Sequence, residues 1–157
     1  MKKRRWIWIA AFVLWLGFIW GNSLQPAAVS SQQSGAVLRF AAGLLETAGV
    51  PSSWLTEHLV RKTAHFAEYA LFGVLLWNCL RTYELPRQVW TLLEAWLILA
   101  APFVDETLQL FTEGRSGQLS DVWLDMAGAA AGTLCALAAS WLLRAGSRRR
   151  AAAGEKG

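Results

Sequence analysis

Apolar residues fall in four long runs. They occupy residues 6–24, 63–80, 89–104 and 122–143. A helix needs ~20 residues to cross ~30 Å of hydrocarbon, and each run approaches that length. The third run carries Glu94 and ends at Pro102 and an acidic pair, and helical continuation through DETLQLF extends it to a full span. The segment between the first two runs, residues 25–60, is longer than a turn. Pro26 stops the first helix, and AAVSSQQSG reads as a loop. From there Val37, Leu38, Phe40, Ala41, Leu44, Leu45 and Ala48 recur at helical spacing, with Arg39 and Glu46 on another face. This predicts a short amphipathic helix on the outer surface between spans one and two. GVPSS ends it, and WLTEHLV leads into the second span. The later connections, residues 81–88 and 111–121, are short, and the second is rich in turn residues. The expected fold class is an all-α integral membrane protein with four transmembrane helices. It forms one domain over residues 1–143, followed by a basic, disordered tail over 144–157.

Composition agrees with this pattern. Of 157 residues, 55% are hydrophobic, and the mean hydropathy of +0.31 is too high for an ordinary soluble domain of this size. KKRR precedes the first run, as in a signal peptide, but the run is long and carries four Trp, and no small-x-small site follows at once. It reads as an uncleaved anchor. Lys and Arg then give an orientation. With the N-terminus inside, only Arg39, Arg61, Lys62 and Arg115 fall outside, and the other eleven of the fifteen cations fall inside. Both termini are therefore expected in the cytoplasm of a multi-pass protein. Trp residues near both span ends fit an interfacial belt, while Trp15 and Trp96 fall mid-span and read as packing residues.

The net charge of +4 is thus mostly topology, and no nucleic-acid partner is indicated. Cys79 and Cys135 lie within predicted spans, without disulfide or metal spacing.

Polar residues concentrate at one depth. In RKTAHFAEY, Arg61, His65 and Glu68 share one helix face, and Lys62 and Tyr69 share the adjacent stripe. In DETLQ, Asp105 and Gln109 share a face, with Glu106 about 100° away. In SDVWLDMAGAAAG, Asp121, Asp125, Gly128 and Gly132 share a face, and the preceding loop adds Arg115. Ionisable groups within spans are costly and usually face the bundle interior or a wet cavity. The GxxxG step permits close helix packing and should turn the two aspartates inward. An outward-facing polar pocket follows from these placements. Glu94 and His58 read as a snorkelling side chain and an ordinary surface histidine.

Two function classes fit such a pocket. As a binding site, Arg61, Lys62, Tyr69, Gln109, Arg115, Asp121 and Asp125 would hold a ligand, with the cations gripping a phosphate or carboxylate. As an intramembrane hydrolase or transferase, the protein would use His65, Glu68, Asp105 and Glu106 as acids and bases on a lipid or lipid-linked substrate. No residue is assigned as a metal ligand from spacing. A divalent cation is compatible, and one His without a thiolate favours Mg or Mn over zinc. Oligomeric state is not legible.

The combined motifs RK-x2-H-x2-EY, DE-x2-Q-x5-R and DV-x2-D-x2-G-x3-G, with FIWGNSLQP as a weaker echo, resemble the VanZ-like family of bacterial membrane proteins. The resemblance implies a small multi-helical protein of the bacterial cytoplasmic membrane. The name-giving member is associated with low-level resistance to teicoplanin, a lipoglycopeptide antibiotic that acts outside that membrane. The expected role is therefore at the cell envelope, in binding an envelope lipid, a lipid-linked cell-wall precursor or the drug. The matching positions here are Arg61, Lys62, His65, Glu68, Tyr69, Asp105, Glu106, Gln109, Arg115, Asp121 and Asp125.

Overall fold

The computed structural model describes residues 2–154, and these form five α-helices with no strand among them. They are α1 (Lys2–Ser23), α2 (Ala27–Thr47), α3 (Glu57–Leu80), α4 (Arg87–Leu110) and α5 (Leu119–Gly154). Among the described residues, three stretches are long and apolar enough to cross a membrane: Lys3–Ser23, Arg87–Leu110 and Leu119–Ser147. Their large side chains face outward. Leu14, Leu92, Trp96, Leu134 and Trp141 are all exposed, which is tolerable only in an apolar surrounding. Trp96 therefore belongs to this outer belt rather than to the packing expected of it.

α3 is the centre of the bundle. Its Tyr69, Phe72, Gly73, Leu76, Cys79 and Leu80 are buried, and it packs on α1, α2, α4 and, along most of its length, α5. Thr56 caps its start by accepting the Leu59 N–H at 3.2 Å. The α3–α5 seam is closed by glycine. A Cβ on Gly132 would collide with the Ala70 carbonyl, one on Gly73 with the Ala129 carbonyl, and one on Gly128 would meet the Phe66 carbonyl at 2.5 Å. Only residues without a side chain let two backbones approach this closely.

α2 differs from the helix read in the sequence. It starts at Ala27, ten residues before Val37, so AAVSSQQSG is helical rather than a loop. Pro26 ends α1 and also starts α2, since a proline's missing N–H costs nothing at a helix N-terminus. The Ala27 N–H then donates to Glu113 O across the bundle at 3.0 Å. α2 buries none of its residues and stops at Gly49, whose φ of +72° suits a glycine C-terminal stop.

α5 is longer than its apolar run. It continues as helix through residues 144–154, where a disordered tail was expected, and Lys156 lies outside the described residues. Cys79 is buried and Cys135 exposed, both as free thiols.

Candidate functional site

The polar residues converge at one end of the bundle, where α3, α4, α5 and the loop before α5 meet the junction of α1 and α2. Lys62 of α3 pairs with Asp121 of α5 at 2.8 Å, each side chain 31% exposed. Glu106 of α4 turns to the loop, where one oxygen accepts from Gln109 Nε2 at 3.0 Å and the other from the Gln118 N–H at 2.7 Å. It thus satisfies an orphan donor at the entry to α5. Glu68 turns the other way, and its Oε1 accepts from Asn22 Nδ2 at 3.2 Å. Trp15 donates its ring N–H to the Glu68 carbonyl at 2.9 Å, so this mid-span Trp does pack inward.

Arg115 reaches back to the end of α1. Its Nε donates to Gln25 O at 2.9 Å and its Nη2 to Asn22 O at 3.1 Å. These bonds satisfy carbonyls at the α1–α2 break and fix the guanidinium beside the pocket. Partial burial lowers the Arg115 pKa from its ordinary value, the Asp105 carboxylate works against that and Arg61 adds to it, but an arginine stays charged. Its charge has no carboxylate partner within ion-pair distance among the described residues.

Beneath these groups lie His65, Asp105 and Asp125, one from each of α3, α4 and α5. Asp105 and Asp125 are 0% exposed. A ring nitrogen of His65 and one oxygen from each carboxylate lie within 4.8 Å of one another. None of the four carboxylate oxygens has a hydrogen-bond partner among the described residues, and neither has His65 Nδ1 or the hydroxyl of buried Tyr69. Ser23 and Gln109 flank Asp105 without closing a bond to it.

Two cavities reach His65, the member of the cluster that lines them. A polar pocket of about 110 Å³ is lined by Arg61, Lys62, His65, Gln109, Arg115, Gln118 and Asp121. A larger cleft of about 640 Å³ lies between α2 and α3, walled by Phe18, Val37, Leu55, Val60, Ala64 and Ala67, with Asn22, Gln33 and Glu68 among its polar contacts. Ser30, Arg61, His65 and Arg115 belong to both, so the apolar cleft opens directly onto the cations.

The structure thus brings all eleven candidate residues to one end but regroups them. The acid–base set read in sequence was His65, Glu68, Asp105 and Glu106. In space His65 stands with Asp105 and Asp125, while Glu68 and Glu106 are engaged elsewhere. Sequence reading missed Asn22, Ser23, Gln25 and Ser30 as site residues. The signal was there in NSLQ, a polar patch directly after an apolar run, but α1 carries no ionisable group there to draw attention. Glu94 is buried rather than snorkelling, near Thr133 and far along α4 from the site. His58 is exposed, as expected.

The family profile described as VanZ/LLP1 matches residues 8–143. No curated protein and no solved structure matches the chain.

Proposed function

The chain belongs to the VanZ/LLP1 family, and we propose that it binds the anionic head of an envelope lipid or lipid-linked precursor. The head enters the cationic pocket and an acyl or prenyl chain lies in the apolar cleft. The observation that carries this reading is the shared wall of Arg61, His65 and Arg115 between a polar pocket and an apolar cleft. A cleft of about 640 Å³ is within the range of small-molecule sites, roughly 300–1,000 Å³. Arg61 and Arg115 supply charge to a phosphate or carboxylate without first breaking an ion pair.

The reading includes a topology. α3 acts as the fourth span although His65, Glu68 and Asn78 dilute its hydropathy, because its polar face is covered by α1, α4 and α5 rather than by lipid. The termini lie in the cytoplasm of the bacterial cytoplasmic membrane, by the distribution of Lys and Arg, and the pocket faces outward. α2 lies at the outer surface and forms the far wall of the cleft. A lipid-linked cell-wall precursor held there, or a lipoglycopeptide such as teicoplanin, has both the anion and the hydrocarbon that the two cavities accept.

The second reading is an intramembrane hydrolase or transferase, favoured by the His65–Asp105–Asp125 cluster, whose His65 lines the same pocket. Mass spectrometry of envelope lipids and precursors separates the two. Cells lacking the protein are compared with cells carrying wild type, Arg61→Ala or Asp105→Asn, at matched protein level and with teicoplanin sensitivity recorded. Binding predicts a sensitivity change that Arg61→Ala abolishes, with no new chemical species. A lipid species made only by wild type and lost in Asp105→Asn makes the protein an enzyme. No difference in either readout removes both readings.

A further inference from the structure

His65, Asp105 and Asp125 come from three different helices and meet where His65 lines the polar pocket, each with a ligating atom within 4.8 Å of the other two. Both aspartates are fully buried. A buried carboxylate with no partner is among the most costly groups a protein can hold, and two side by side are worse. No ion pair or hydrogen bond of ordinary length compensates them, although the Ser23 and Gln109 side chains lie beside Asp105. Among the described residues the one close ion pair, Lys62–Asp121, leaves both aspartates out, and Arg115 makes no ion pair with either. No donor among the described residues hydrogen-bonds either carboxyl. Protonating each would remove charge but leave a buried O–H and a buried carbonyl without partners.

We propose that His65, Asp105 and Asp125 form a binding site for one divalent metal ion. An imidazole and two carboxylates make three donors carrying two negative charges, which one divalent cation neutralises. It also occupies the three unpartnered ligand atoms at once. A cation bonded at ~2.1 Å holds its donors ~3–4 Å apart, so small movements of three side chains complete the shell. The mixed nitrogen and oxygen donors favour a transition metal such as Mn²⁺ over Mg²⁺ or Ca²⁺, which prefer oxygen alone. His65 lines the polar pocket, so water or an anion would reach the ion past its ring. Tyr69, fully buried on the same helix one turn from His65, carries a hydroxyl that is also unpartnered among the described residues. Asp125 thereby gains a role distinct from that of Asp121 one turn earlier, which faces Lys62. The site does not depend on which molecule the cations bind.

The test uses full-length protein in nanodiscs, with any affinity tag removed. It is stripped with chelator, then titrated with Mn²⁺ and followed by electron paramagnetic resonance. The expected result is one Mn²⁺ per chain, displaced by one equivalent of Zn²⁺, with binding weakened at least tenfold in Asp105→Asn and in Asp125→Asn. Circular dichroism and gel filtration establish that those near-isosteric variants are folded. Lys62→Met, outside the cluster, keeps the metal while changing the cationic pocket, so loss of anion binding and loss of metal binding are read separately. Wild type that holds no stoichiometric Mn²⁺ or Zn²⁺ overturns the proposal. So does unchanged metal content in both aspartate variants.

Discussion

α3 has two long seams, and they are built in opposite ways. Against α5 it is closed: Gly73, Gly128 and Gly132 bring backbone onto backbone, and the carbonyls of Phe66, Ala70 and Ala129 occupy the space that side chains would need. Against α2 it is open: α2 buries nothing, and a cleft of about 640 Å³ remains between them. The closed seam holds the fold and sets the depth of Asp125. The open seam adds little packing and leaves apolar surface for something else to cover. Apolar walls left open next to fixed cations are what a bound amphiphile requires.

Substitutions test each seam separately. Gly132→Leu should have the largest effect, because its side chain meets the Ala70 carbonyl and the helices must part. The cost is ~3 kcal/mol or more, seen as loss of folded protein in a detergent melt. Arg115→Ala comes next. It leaves the Gln25 and Asn22 carbonyls without their donor and costs ~2 kcal/mol, with faster proteolysis at the α1–α2 junction. Lys62→Met removes a pair whose side chains are 31% exposed, so stability changes by ~1 kcal/mol at most in the same melt. Ala64→Trp should be nearly silent for stability, within ~0.5 kcal/mol, since Ala64 faces the open cleft. It nevertheless fills the cleft and should lower retention of lipid at least tenfold. An Ala64→Trp protein that keeps its lipid would mean that the cleft is not the acyl site.

Much of this was legible in the sequence, for physical reasons that differ by element. The GxxxG step and the aspartates on its face were readable because a helix repeats every 3.6 residues, so Asp125 and Gly128 had to turn inward together. The convergence of RKTAHFAEY, DETLQ and SDVWLD was readable because ionisable groups near an apolar run must find company. The extent of α2 was not. Ser30, Gln32 and Gln33 favour loops by composition, and only the contact of Ala27 with Glu113 and the cleft-facing side of the helix explain why they are helical. Nor was the grouping of His65 with Asp105 and Asp125 in place of Glu68 and Glu106. Periodicity assigns a face but not a rotation, and the partners of Glu68 and Glu106, Asn22 and Gln118, lie in segments with no periodic signal.

The most direct test of the central claim is native mass spectrometry of the protein released from nanodiscs of mixed zwitterionic and anionic lipid. Wild type should retain one anionic lipid or lipid-linked molecule per chain. Arg61→Ala should retain it at least tenfold less while remaining folded, since Arg61 lines both cavities and makes no ion pair among the described residues. Wild type that emerges free of lipid, or Arg61→Ala that retains as much as wild type, would contradict the account.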